Sequence, residues 1–154
     1  MASRRTFTPS GFTLIELVIV VGLFGVVGAS ALFIDFSSYR GDAFRAERAT
    51  IVTLLQTARA DALNNIDESP HGLAIFPADH PASYVVFEGA TYATRNTAQD
   101  EIFDASYPIS LAGGSAVVVF EQLSGDAQDT QLALTDPARG IESAITINHE
   151  GAID

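Results

Sequence analysis

The sequence predicts an α+β protein in which one long N-terminal α-helix packs on antiparallel β-sheets. Two changes of pattern along the chain support this prediction. Residues 12–65 are first continuously apolar and then apolar at helical spacing, whereas the residues after Pro70 alternate as strands do. With 154 residues, of which 47% are hydrophobic, the chain has room for one folded domain and one anchor.

The first half of the helix, residues 12–34, is predicted to cross a membrane. No charged residue lies between Glu16 and Asp35. As a helix that rises about 1.5 Å per residue, this stretch nearly spans a hydrocarbon core of roughly 30 Å. Arg4 and Arg5 precede the stretch and acidic residues follow it. We therefore expect a single pass through the cytoplasmic membrane, with the N-terminus in the cytoplasm and the head outside.

The second half of the helix, residues 35–65, is predicted to be amphipathic. Its apolar residues share one helical face, namely Ile51, Leu54, Leu55, Ala58 and Ala62. Its charged residues are expected off that face, namely Arg45, Glu47, Arg48, Arg59 and Asp61. Gly41 is expected to kink the helix, and Asn64 and Asn65 are expected to end it. The apolar face is therefore predicted to pack on a globular head.

The head, residues 66–154, is predicted to be rich in β-structure. Runs of Val, Ile, Phe and Tyr between turn residues predict five strands, at residues 72–76, 83–88, 116–122, 131–135 and 144–148. Most of these runs have no crossover helix between them, which favours antiparallel pairing. The polar residues 91–104 are expected to form a variable surface loop, and residues 112–115 a turn.

The composition argues against several classes of function. The net charge is -11 and there is no lysine, so a basic patch for nucleic acid is not expected. The absence of cysteine excludes disulfides and thiolate sites. His71, His80 and His149 lie at no metal-ligand spacing, and Asp126, Asp129 and Asp136 match no calcium loop. No catalytic motif is present, so we expect a protein that is not an enzyme and holds no cofactor or metal.

Three export signals fit the N-terminal residues. An ordinary secretory signal would be cut after Ala31, where Ala29-Ser30-Ala31 matches the small-residue pattern. A twin-arginine signal at residues 3–7 would use the same site. Both would release a soluble exported binding module. Neither explains Glu16, because a carboxylate inside an apolar segment is costly and a secretory signal gains nothing from it.

The third signal is carried by residues 11–22, which begin Gly11-Phe12-Thr13-Leu14-Ile15-Glu16. This segment resembles the prepilin signal of type IV pilins and of type II secretion pseudopilins. The resemblance implies that a prepilin peptidase removes residues 1–11 by cutting between Gly11 and Phe12, and that the new Phe12 amine is methylated. It also implies that Glu16 neutralises the Phe12 ammonium of a neighbouring subunit, so that both residues guide filament assembly.

The implied partners follow from the same resemblance. They are other pilins or pseudopilins, the prepilin peptidase, and an inner-membrane assembly platform driven by a cytoplasmic ATPase. Several segments of the head are similar to H-type minor pseudopilins, including Arg59-Ala60-Asp61-Ala62, Leu123-Ser124-Gly125, and 145–148 with Gly151. These segments favour a minor subunit of a pilus or pseudopilus. A major, fibre-forming type IV pilin remains the alternative, and the sequence does not separate secretion from motility or DNA uptake.

Overall fold

The structure, a computed structural model, describes residues 12–31, 36–76 and 78–154. The chain divides into two units, one ending at Ser38 and one running from Tyr39 to Asp154. The predicted α+β class is confirmed, because two α-helices precede a set of strands that pair antiparallel. Gly11 and the rest of the predicted leader lie outside the described residues.

Helix α1 is Leu14–Ala31, and its sequence is almost entirely Leu, Ile, Val, Gly and Phe. Every described side chain from residue 12 to residue 29 is exposed, so the helix presents apolar surface on all sides. Among the described residues, no helix meets the combined length and hydropathy needed to cross a bilayer. The predicted membrane segment and the predicted single continuous helix both include residues 32–34, which the structure does not describe, and both stay predictions.

Helix α2 is Phe36–Leu63, and its apolar face is confirmed as part of the core. All five residues predicted for that face are buried, namely Ile51, Leu54, Leu55, Ala58 and Ala62. The helix runs through Gly41 without a break, and the predicted kink at that residue stays a prediction. A side chain at Gly41 would collide with the Arg139 guanidinium. One expectation about this helix is wrong. Glu47 is buried rather than exposed, because it lies one helical turn before Ile51 on the same face.

The end of α2 follows the prediction at Asn64 and Asn65. Asn65 adopts the left-handed conformation, with φ of 55°, immediately after the helix. This conformation is common in the residue that follows a helix, and Asn tolerates it better than most residues do. A short 3₁₀ turn, Ile66–Glu68, then leads to Pro70 and the first strand.

Seven strands in the described residues form two antiparallel sheets. Their bounds are β1 His71–Ile75, β2 Ser83–Glu88, β3 Glu101–Asp104, β4 Ser110–Leu111, β5 Ala116–Phe120, β6 Thr130–Asp136 and β7 Ile141–Ile147. The larger sheet has the order β3-β2-β1-β5 and the smaller one the order β4-β6-β7. The five predicted strands and their antiparallel pairing are confirmed, with shifted ends.

Two strands were not predicted, and the expected loop at residues 91–104 is partly wrong. That segment contains two 3₁₀ turns, Tyr92–Thr94 and Thr97–Gln99, and ends in strand β3. All four residues of β3 are exposed, so the strand shows no alternation of buried and exposed positions. Strand β4 has only two residues, and so short a strand shows no periodicity in the sequence.

The core of the second unit joins α2 to both sheets. One cluster contains Phe44 and the apolar face of α2 together with inward residues of both sheets, including Leu73, Val118, Leu134 and Ile147. A second, smaller cluster covers the opposite face of the larger sheet. It consists of Ala74, Val85 and Phe87, with Tyr92 and Val119 packed against them.

Candidate functional site

The start of α1 is fixed by a reciprocal pair of side chains. The backbone N–H of Thr13 donates to Glu16 Oε2 over 2.9 Å, and the Thr13 hydroxyl donates to the same oxygen over 2.8 Å. The Glu16 N–H in turn donates to Thr13 Oγ1 over 3.3 Å. Thr13 precedes the first helical residue by one position, so the two residues form a capping box. This role of Glu16 was not predicted, although Thr followed by Glu three residues later is its signature in a sequence.

The capping box is independent of the predicted cleavage. Cutting the Gly11–Phe12 bond leaves the Phe12–Thr13 peptide bond intact, and with it the Thr13 N–H that binds Glu16. The cut would add a positive amine at the N-terminus of a helix, where positive charge is unfavourable and a carboxylate is favourable. Phe12 is 86% exposed, so its amine would be open to a second molecule. The geometry therefore keeps Glu16 beside the predicted new terminus.

The glycines of α1 lie on open surface. A methyl group added at Gly22, Gly25 or Gly28 would meet nothing within 4 Å. Small residues on an apolar helix allow a second helix to approach closely. The exposed apolar surface of α1 and these three positions form a surface suited to packing against other apolar helices.

Glu47 organises the interior of the second unit. Its carboxylate accepts a hydrogen bond from the Tyr84 hydroxyl over 2.6 Å, from the Ser106 N–H over 3.2 Å and from the Tyr107 N–H over 3.1 Å. These donors come from β2 and from the segment between β3 and β4. A buried carboxylate is costly unless donors of this kind surround it. Burial raises the pKa of the Tyr84 hydroxyl, and the hydrogen bond and charge of Glu47 raise that pKa further.

Three separate segments of the head, around Arg59, Leu123 and Gly151, meet at the C-terminal end of α2. The Arg59 guanidinium donates to the Glu150 carbonyl over 2.9 Å, and the Leu123 N–H donates to the Ala62 carbonyl over 2.9 Å. Gly151 packs so closely on the Gly125 carbonyl that an added methyl group would collide with it. The contacts are backbone-to-backbone or through the Arg59 guanidinium. These residues therefore act as packing elements that hold the helix end, the 123–125 turn and the C-terminal segment together.

Residues 89–100 are held against the outer face of the larger sheet by Arg95. Its Nε donates to Asp100 over 2.8 Å and its Nη2 donates to Asp79 over 3.2 Å. The guanidinium carbon lies 3.7 Å from the centre of the Tyr92 ring, and that ring packs edge-on against Phe87 with centroids 5.4 Å apart. The first part of the expected surface loop is therefore held on the sheet by side-chain contacts.

The three histidines lie at separate places. His71 begins β1, is buried, and its Nδ1 lies 3.0 Å from the Ser69 carbonyl. His80 lies 3.9 Å from Asp79, and His149 lies 4.0 Å from Glu150. Of the acids considered for calcium, Asp136 is buried and accepts a hydrogen bond from the Ala138 N–H over 2.9 Å. Within the described residues, no three metal-ligating side chains come together.

Comparison with protein families identifies one match, at the N-terminus. Residues 9–32 match the family model described as "Prokaryotic N-terminal methylation motif". No curated protein and no solved structure gives a significant match to the chain. The matched residues include Gly11, Phe12, Thr13 and Glu16 and most of α1. The match supports the resemblance to type IV pilins and pseudopilins and indicates a prepilin-type N-terminus, which in such proteins belongs to structural subunits.

Proposed function

We propose that this protein is a minor pilin or pseudopilin, a structural subunit of a type II secretion pseudopilus or a type IV pilus. A prepilin peptidase cuts between Gly11 and Phe12 and Phe12 is methylated. Residues 12–34 first anchor the subunit in the cytoplasmic membrane, with the head outside. An assembly platform with a cytoplasmic ATPase then packs α1 against the helices of neighbouring pilins.

The observation that carries this proposal is the methylation motif at residues 9–32 on an exposed apolar helix with a carboxylate in its first turn. Exposed apolar surface of this extent needs a membrane or other helices to cover it. The capping box keeps Glu16 at the helix start, where it can pair with the Phe12 ammonium of a neighbour. The H-type assignment rests on the three head segments that meet around Arg59 and Gly151.

Processing is tested first, by the intact mass and N-terminal sequence of the protein purified from its host. We expect a chain that begins at a methylated Phe12. A mature start at Leu32 would overturn the proposal in favour of a soluble exported module.

In sheared filaments we expect the protein to be a minor band, and a dominant band would indicate a major pilin.

Assembly is tested with variants that separate the charge of Glu16 from its capping role. Glu16→Gln can still cap the helix but has no charge, whereas Thr13→Ala keeps the charge and loses the capping hydroxyl. We expect Glu16→Gln to be processed normally and to enter filaments at least about tenfold less than wild type. Thr13→Ala should enter filaments within about twofold of wild type. If Glu16→Gln enters filaments as wild type does while Thr13→Ala fails, the capping box and not the intersubunit charge governs incorporation.

A further inference from the structure

The outer face of the larger sheet carries a groove that the assembly role of α1 does not use. The groove has a volume of about 530 Å³, within the range of about 300–1,000 Å³ that is typical of ligand sites. Its floor is formed by Val117 and Val119 of β5. One wall comes from Thr91 and Tyr92 and the other from the residues around Asp126.

Strand β5 forms an open edge of the sheet along this groove. Among the described residues it pairs with β1 on one side, and on the other side the antiparallel bridge between Phe120 and Ala127 covers its C-terminal end. The Glu121 N–H donates to the Asp126 carbonyl over 2.8 Å beside that bridge. Because outward and inward backbone groups alternate along an antiparallel strand, Val119 and Val117 also direct their N–H and C=O groups outward, and the Val119 C=O faces Gln128 across the bridge.

This edge lacks the usual protection against pairing with another chain. Natural edge strands carry charges, Pro or bulges that discourage a second strand, whereas β5 reads Ala-Val-Val-Val-Phe. Val117 is 46% exposed. The facing wall is already in place, since Arg95 fixes Tyr92 through the Asp79 and Asp100 carboxylates. An extended peptide would therefore bind without much rearrangement of the groove.

The acidic charge of the groove favours a positively charged binding partner. Glu121 and Asp126 are exposed at its rim, and the chain as a whole has a net charge of -11. A second copy of this chain is disfavoured, because the other edge of the same sheet, β3, would bring Glu101 and Asp104 against that rim. A cationic segment would be attracted instead.

We propose that the β5 groove binds an extended, basic peptide segment of another protein, which adds a strand to the edge of the larger sheet. The backbone of the segment pairs with the N–H and C=O groups of Val117 and with the Val119 N–H. Its apolar side chains lie beside Tyr92, and its Lys or Arg side chains meet Glu121 and Asp126. The inference does not rest on the filament role, because neither the groove nor its rim includes residues of α1.

The test uses the full chain in detergent micelles and a fluorescent, end-blocked hexapeptide of alternating Val and Arg, with binding measured by anisotropy. We expect saturable binding that weakens with salt and slows hydrogen exchange at Val117 and Val119. The double variant Glu121→Lys/Asp126→Lys should weaken binding by about tenfold or more. The matched double variant Glu101→Lys/Asp104→Lys, with the same charge change on β3, should stay within about twofold.

Three further peptides separate strand addition from simple charge attraction. Two of them are Val/Arg peptides that carry N-methyl groups along one edge or along the other, and a methylated edge cannot pair with β5. We expect one of these two peptides to lose binding and the other to keep it. An alternating Val/Glu peptide should not bind. The proposal would be overturned if both methylated Val/Arg peptides bound as tightly as the unmethylated one. It would also be overturned if both double variants weakened peptide binding equally, or if the chain dimerised through β5. A chain not cut at Gly11 should give the same results.

Discussion

The hydroxyl of Tyr84 on β2 lies 2.6 Å from a carboxylate oxygen of Glu47 on α2, and both residues are buried. The same carboxylate accepts hydrogen bonds from the Ser106 and Tyr107 N–H groups. One charged residue thus connects the helix, the larger sheet and the segment that leads to the smaller sheet. Buried polar groups that are fully satisfied in this way help to specify a single arrangement of a core.

Replacing Glu47 should therefore destabilise the second unit strongly. In Glu47→Ala the Tyr84 hydroxyl and the Ser106 N–H lose a buried acceptor, and we expect the free energy of unfolding to fall by about 3 kcal/mol. Denaturant titration measures the change. Glu142→Ala removes an exposed carboxylate and serves as the control, with an expected change within about 0.5 kcal/mol. Similar losses in the two variants would contradict the role assigned to Glu47.

The raised pKa of Tyr84 predicts a dependence of stability on alkaline pH. Burial and Glu47 hold the proton on Tyr84 more tightly in the folded state than in the unfolded state, where the pKa is about 10. The resulting stabilisation is complete below about pH 10 and is lost as the pH rises toward the folded-state pKa, at up to about 1.4 kcal/mol per pH unit.

The comparison that isolates this effect is wild type against Tyr84→Phe. The difference in their free energies of unfolding should be constant between about pH 6 and 8 and should narrow between about pH 9 and 11, because only the wild type carries the Tyr84 hydroxyl. Denaturant titrations at each pH provide the values. A difference that stays constant up to about pH 11 would show that the Tyr84 pKa is not raised.

Gly151 is predicted to tolerate no side chain. It has a φ of +70°, and an added methyl group would collide with the Gly125 carbonyl and lie 2.8 Å from Arg59 Nε. Gly140 has a similar φ of +64° with nothing within 4 Å. Gly151→Ala should cost about 3 kcal/mol or more, and Gly140→Ala only the backbone strain of about 1 kcal/mol. Equal costs would show that close packing at Gly151 is unimportant.

Arg95 is predicted to stabilise the segment 89–100 through its contacts with Asp79, Tyr92 and Asp100. Arg95→Ala removes the hydrogen bonds to Asp100 and Asp79 and the stacking on Tyr92, with an expected cost of about 2 kcal/mol and faster hydrogen exchange across the segment. Arg45→Ala removes an exposed ion pair with Asp42, which should cost less than about 0.5 kcal/mol. Unchanged exchange in Arg95→Ala would contradict this role.

The sequence predicted the elements whose periodicity reports burial. The apolar face of α2 and strands β5, β6 and β7 are of this kind, since each has one regular buried side. Strands β1 and β2 are buried on both faces, and their apolar runs between turn residues predicted them instead. Strands β3 and β4 were missed because the first is exposed throughout and the second has two residues. Glu47 was misplaced because charge was given more weight than its position four residues before Ile51, on the buried face.

At the N-terminus, the methylation motif at residues 9–32 supports the prepilin pattern recognised in the sequence. The roles of Phe12 and Glu16 in cleavage, methylation and assembly stay predictions. The capping role of Glu16 was missed because its carboxylate was interpreted only as a partner for another subunit. The meeting of Arg59 with the 123–125 and 148–151 segments could not be derived from spacing, since about sixty to ninety residues separate them and the contacts are mainly to backbone.

The exposed position of Phe12 has a practical consequence for labelling. These 154 residues contain no lysine, so a chain cut after Gly11 would carry a single amine, at Phe12. An amine-directed reagent or crosslinker would then react with that one atom. The reagent would label the Phe12 amine while that amine is accessible and would fail once a carboxylate of a neighbouring subunit covers it. The extent of labelling would then measure directly which fraction of the subunits is assembled.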